Sequence, residues 1–171
     1  ASYAQVITSA VIDRCDDFGL GEPTLIIEPG RAVIGRAGVA LYTVGAIKDI
    51  PQVRKYISLD GGMGDNIRPA LYDARYEAVV ANRMTEPRTE TVTLAGKYCE
   101  SGDVLIRDVS LPELEPGDLI AVPAVGAYAP SMASNYNVNP RPPVVMVKDG
   151  TARLIRRRET YDDLMLCDVV E

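Results

Sequence analysis

Apolar positions take two different textures along this chain. Through the first stretch Tyr3, Val6, Ile7, Ala10, Val11, Cys15 and Phe18 recur at helical spacing and Gly19 supplies a stop, so the pattern predicts a helix. The apolar run at 24–27 predicts a short strand within a few residues of it. From about residue 38 the texture changes to short β-like runs, at 39–48, 56–60, 76–82, 89–96, 104–107, 119–123, 143–148 and 151–157. Asp149-Gly150 marks a hairpin between the last two, and Glu115-Pro116-Gly117-Asp118 marks another turn. Short helices are expected near 66–74, 130–136 and 160–166. The fold class is therefore mainly β with some α: a β-barrel or sandwich over 39–171, preceded by a helix and a strand over 1–38. On pattern alone that first unit fits the final repeat of a (β/α) barrel, and equally a doubly wound sheet.

Composition narrows the function classes. With 171 residues, 47% of them apolar, the chain is expected to bury a substantial core. A formal charge of −6 argues against a nucleic-acid partner, which needs a basic surface. The basic cluster Arg153, Arg156, Arg157 and Arg158 reads as a solvated strand face rather than a polyanion site. No apolar stretch approaches a membrane span and no signal-peptide pattern opens the sequence, so a cytoplasmic chain without a membrane partner is expected. Cys15, Cys99 and Cys167 are odd in number and widely spaced, which fits reduced thiols, and no zinc spacing is present. The absence of histidine removes hydrolytic triads and His-based metal sites or general bases.

Four motifs carry polar groups beyond structural need. Glu28-Pro29-Gly30-Arg31 delivers a carboxylate, a bare amide and a guanidinium together after the run at 24–27, a grouping that suits a phosphorylated, nitrogen-containing cofactor. Asp60-Gly61-Gly62-Met63-Gly64-Asp65 is either a tight turn or a phosphate loop, and matches neither the dinucleotide fingerprint nor a P-loop. It leads to Arg68 and Tyr72, which share one face if helical and can grip one group together. Cys99-Glu100-Ser101-Gly102-Asp103 sets a thiol beside a carboxylate, either as a small core residue or as an exposed reactive one. Gly126-Ala127-Tyr128 precedes a run from Ser131 to Asn137 that fits a phosphate or carbonyl site, or a capped helix packing two tyrosines.

Taken in order, EPGR at 28–31, DGGMGDNIRPALY at 60–72, CESGD at 99–103, GAYAPSMASNYN at 126–137 and RP at 141–142 resemble the diaminopimelate decarboxylases, of the alanine-racemase-like class of pyridoxal-phosphate enzymes. The resemblance implies a (β/α)8 barrel holding pyridoxal 5'-phosphate, a C-terminal β domain, and a homodimer with shared active sites. It places 1–38 at the end of the barrel and 39–171 in the β domain. It implies that Glu28 pairs with the pyridine nitrogen, that Gly30 and Tyr128 hold the phosphate, and that Arg31, Arg68 and Tyr72 hold the carboxylate meso-diaminopimelate retains. Glu100 would recognise its distal ammonium, Cys99 would donate a proton, and Tyr136 would line the neighbouring subunit's site. The lysine that anchors the cofactor covalently belongs to earlier barrel strands and nothing here matches it, so this chain alone is expected to be inactive. Carboxynorspermidine, ornithine and arginine decarboxylases are the alternative enzymes, with alanine racemase less favoured because its tyrosine motif is not apparent. A non-catalytic dimerisation module is the alternative of another class.

Overall fold

A computed structural model describes residues 2–169 and divides into two units, one ending at Gly30 and the other beginning at Arg31. In the first, helix α1 (Tyr3–Asp17) is opened by the Ser2 hydroxyl, which accepts the Gln5 N–H at 3.2 Å. It closes at Gly19 as the sequence predicts: Gly19 sits at φ +61°, its N–H donates to the Asp16 carbonyl, and the Leu20 N–H reaches back to Cys15 at 2.8 Å. The strand expected at 24–27 is not formed; residues 21–29 have no regular structure. An apolar run becomes a strand only where another strand satisfies its backbone groups, and no described residue pairs with it.

The second unit opens with the short helix α2 (Gly30–Ile34) and a 3₁₀ turn (Gly35–Ala37). A six-stranded mixed sheet follows, of β1 (Val39–Ile50), β2 (Arg54–Leu59), β3 (Val79–Val80), β4 (Glu90–Ala95), β5 (Val104–Leu111) and β6 (Leu119–Pro123), in the order β3-β6-β1-β2-β4-β5. Helix α3 (Arg68–Tyr72) lies between β2 and β3, and α4 (Ala129–Met132) follows β6. The strand expected at 76–82 shrinks to two residues, while the one expected at 104–107 runs on to Leu111. Strand β1 carries the sheet through a bend. Its first half pairs with β6 and its second with β2, and the register shifts between Val44 and Ile47, across Gly45 and Ala46. The core lies on the face formed by Tyr42, Val44, Ile57, Leu59, Leu94, Leu111 and Ile120, every one of them buried.

A hairpin of β7 (Val144–Lys148) and β8 (Thr151–Arg156) stands outside this sheet. Asp149 and Gly150 turn it at φ +51° and +75°, the twin positive angles that the Asp-Gly pair predicts. Helix α5 (Tyr161–Leu164) follows, with Thr160 and Asp163 forming a reciprocal capping box. Strand β8 is exposed along its length, and Arg157 pairs with Asp163, so the basic cluster is a solvated face with one ion pair.

Candidate functional site

Parallel pairing is what assembles the site. Strands β2 and β4 run side by side, Ser58 opposite Ala95, so the glycine loop after β2 and the 96–103 loop after β4 emerge at the same sheet edge. The Lys97 N–H donates to the Gly61 carbonyl at 3.1 Å, and the Ser134 N–H donates to the Gly64 carbonyl at 2.9 Å, which draws in the segment beyond α4.

Arg31, Arg68, Tyr72 and Tyr128 line one hollow of about 320 Å³, together with Met132, which sequence reading did not single out. Each is delivered by a local cause. Arg68 and Tyr72 project from α3, whose start is set by Pro69 and whose end is set by Asp73 at φ +52°. Arg31 is carried on α2, which lies close to the loop after β6 because Gly126 has no side chain: a β-carbon there would stand 2.1 Å from the Ile34 carbonyl oxygen. The Gly126 N–H donates to Gly35 at 3.0 Å and holds that approach.

The electrostatics of the hollow are one-sided. Arg68 donates to the Tyr76 hydroxyl at 3.0 Å and lies 5.4 Å from the centre of the Tyr128 ring, and neither it nor Arg31 meets a carboxylate among the described residues. Arg54, Arg83, Arg141 and Arg157 all have acidic partners. Two guanidiniums brought together without counter-charge make a place for an anion.

Cys99, Glu100 and Tyr136 form a second cluster that does not line the hollow. The Tyr136 hydroxyl donates to Glu100 Oε2 at 3.2 Å, while Ser101 Oγ and the Gly102 N–H both donate to Oε1 at 3.2 Å. The Gly102 amide, then the Tyr136 and Ser101 hydroxyls, hold the Glu100 carboxyl below its ordinary range, so it stands ready as an anion. Cys99 is exposed rather than core, and its N–H donates to Asn137 Oδ1 at 3.1 Å. The Tyr98 and Tyr136 rings meet edge to face at 6.0 Å.

Glu28 is exposed in the irregular segment before α2, and Gly30 is the first residue of that helix. No described residue beyond its chain neighbours lies within 4 Å of where a Gly30 β-carbon would stand, so packing does not explain the missing side chain. The Tyr128 hydroxyl makes no hydrogen bond among the described residues.

The glycine loop is a packing device. Its Gly62 N–H donates to Asp65 Oδ2 at 2.9 Å and its Met63 N–H donates to Asp103 Oδ1 at 2.6 Å, so two amides that would have cradled a phosphate serve carboxylates of the chain itself. Burial pushes the Asp65 and Asp103 carboxyls up and these N–H donors pull them down, the former prevailing.

A family model for the pyridoxal-dependent decarboxylase C-terminal sheet domain matches residues 9–126. The chain belongs to this family. It is 53% identical over 167 residues to the diaminopimelate decarboxylase of Bacillus subtilis, covering 98% of this chain and 38% of that relative. The crystal structure of diaminopimelate decarboxylase from M. jannaschii superposes with a TM-score of 0.86 at 40% identity, over 98% of this chain and 38% of that one. A second structure of that enzyme, in co-complex with L-lysine, gives a TM-score of 0.82 at 41% identity, over 94% and 36% of the two chains. The family's sheet domain accounts for the mainly β fold. This chain spans little more than a third of the length of the relatives it matches. No helix among the described residues is long and apolar enough to cross a membrane.

Proposed function

We propose that this chain is the C-terminal part of a pyridoxal-phosphate-dependent decarboxylase that converts meso-diaminopimelate to L-lysine and carbon dioxide. The supporting observation is the hollow in which Arg31 and Arg68 converge without a carboxylate partner. Diaminopimelate keeps one carboxylate after losing the other, and a planar guanidinium fork matches it. A substrate that becomes a diamine keeps none, and an Arg68 directed at such a product would face no negative charge. The identity to diaminopimelate decarboxylases across nearly the whole chain supports the same substrate.

Arg31 and Arg68 bind and orient the retained carboxylate, with Tyr72 beside them. Pyridoxal phosphate, when bound, supplies an acceptor for the electrons left as carbon dioxide departs. Glu28 keeps the cofactor's ring nitrogen protonated, while the Gly30 N–H and the Tyr128 hydroxyl hold its phosphate. Glu100, ionised by its three donors, binds the distal ammonium, and Cys99 donates the proton that replaces the lost carboxylate. Tyr136 orients Glu100 through its hydroxyl. Because Cys99, Glu100 and Tyr136 stand apart from the hollow, they serve the site of a second copy, and the working unit is a cytoplasmic homodimer. Residues 1–38 close a (β/α)8 barrel and 39–171 form the β domain. Lys48, Lys55, Lys97 and Lys148 all fall in the β domain, so the covalent anchor comes from outside this sequence and the chain alone is inactive.

The test is Arg68→Ala in the full-length protein. The expected result is a KM for meso-diaminopimelate raised by the equivalent of about 2–5 kcal/mol, with cofactor binding unchanged. An unaltered KM removes Arg68 from the substrate site. Release of carbon dioxide from ornithine or arginine in preference to diaminopimelate replaces the substrate.

A further inference from the structure

Asp103 closes the CESGD motif and has no part in the chemistry above, yet it is 3% exposed and is one of only a few buried ionisable groups in the second unit. Both of its carboxylate oxygens are occupied, and by different loops. Oδ1 accepts the Met63 N–H at 2.6 Å from the loop that leads into Arg68. Oδ2 accepts the Tyr98 N–H at 2.8 Å from the loop that presents Cys99 and Glu100. Its own backbone completes the closure, since the Gly96 N–H donates to the Asp103 carbonyl at 2.9 Å and the Asp103 N–H donates to Glu100 at 3.1 Å.

The chain is shaped around this carboxylate. A β-carbon at Gly62 would lie 2.4 Å from Asp103 Oδ1, and one at Gly96 would lie 2.1 Å from Oδ2. Two walls of the compartment are therefore glycines because nothing larger leaves space for the acid. The neighbouring Gly64 does the same for the Tyr98 hydroxyl, which a β-carbon would approach to 2.3 Å. Gly102 lies beside α3, where its β-carbon would stand 4.0 Å from that of Ala70.

We propose that Asp103 is a positioning residue that fixes the loop bearing Cys99 and Glu100 to the loop leading into Arg68, so that one buried carboxylate sets the spacing of the acidic and cationic substrate grips. The inference rests on the function proposed above for those grips. In a dimer with shared sites, the two loops serve different active centres, and Asp103 joins one centre to the other. The chemistry demands a carboxylate. Both oxygens face N–H donors, so an amide of the same shape must turn its NH₂ toward one of them and lose that bond.

The experiment uses the full-length protein and Asp103→Asn. Amide hydrogen exchange at Met63 and Tyr98 is expected to be slow in the native protein although both lie in loops, because each N–H is held by Asp103. In the variant, one or both exchange faster by roughly tenfold or more, as the loss of a charge-assisted hydrogen bond implies, while Ile57 and Leu94 in the sheet keep their protection. KM for meso-diaminopimelate rises and cofactor occupancy does not fall. Fast exchange at Met63 or Tyr98 in the native protein overturns the proposal, and that measurement stands even if the variant fails to fold. A folded variant with native exchange and native KM overturns it as well. If the native protein does not decarboxylate diaminopimelate, the function above fails, and the exchange results alone decide whether Asp103 holds the two loops.

Discussion

Val138 is held at φ +59° beside Asn137 at +51°, immediately after Tyr136. A β-branched residue in the left-handed region is strained, because its branches crowd the flanking backbone. The strain lies where Asn137 receives the Cys99 N–H and Tyr136 reaches Glu100, so it helps to set the geometry of the second cluster. Val138 is 67% exposed and gives up little burial when truncated. Val138→Gly is expected to leave the unfolding free energy unchanged or to raise it, by up to about 1 kcal/mol after the entropy of the new glycine is subtracted, with the melting temperature moving in the same direction. Scanning calorimetry of the two proteins measures this, and a clear loss of stability would show that the backbone there is relaxed. At this scale the sequence was informative about chemistry and silent about angles. The family resemblance puts Arg31, Arg68 and Tyr72 on one carboxylate and Tyr128 on the phosphate, and all four line the one hollow. Met132, Tyr76 and Asp103 were not legible, because a side chain that lines or braces a site carries no reactive group to mark it. The cue for Asp103 was indirect: the glycines at 62 and 96 make sense only around something that fills the space they leave.

Among the elements, β6 begins at a charged latch. Asp118 accepts from Arg83 Nε at 3.1 Å and Nη2 at 2.5 Å, from Asn82 Nδ2 at 3.1 Å and from the Glu115 N–H at 2.8 Å, tying the turn after β3 to the start of β6. The Arg83 hydrogen bonds hold the Asp118 carboxyl down, from its ordinary 3.8 to about 2. A depressed folded-state value means that the stabilisation is complete above the unfolded value and is lost as the pH falls from about 4 to about 2. A displacement of that size corresponds to roughly 2 kcal/mol for this buried group. Denaturant titrations across that window are expected to show a flatter pH dependence for Asp118→Asn than for the parent; parallel curves would mean that the latch opens in the unfolding transition without contributing. The elements themselves were read well where the signal is local. The period of α1, the Asp-Gly hairpin and the alternating runs of β1, β4 and β6 all appear where expected. The failures are non-local. The run at 24–27 finds no partner here, and the parallel pairing of β2 with β4 joins strands separated by the glycine loop, α3 and β3, a pairing no short window contains.

At the level of the whole molecule, stability is uneven. The six-stranded sheet of the second unit owns the core cluster, while β7 and β8 form a two-stranded hairpin with Val147 72% and Leu154 57% exposed. A hairpin with neither face covered is marginal on its own. Limited trypsin digestion of the isolated chain is expected to cut first at Lys148, Arg153 or Arg156 and to spare Lys55 and Arg107 in the sheet, as read by intact-mass spectrometry; early cleavage inside β2 or β5 would contradict this ranking. The acidic chain also places two guanidiniums without acidic partners among the described residues, Arg31 and Arg68, in one hollow, so the local field there opposes the net charge of −6 and draws small anions toward it.

The compartment around Asp103 has a consequence for how such a sequence can drift. Positions 62, 96 and 103 behave as one unit of inheritance: enlarging either glycine evicts the acid, and shortening the acid leaves two amides stranded. Random libraries built across all three sites should therefore return the original trio or wholesale replacements, with single-step intermediates missing from the survivors.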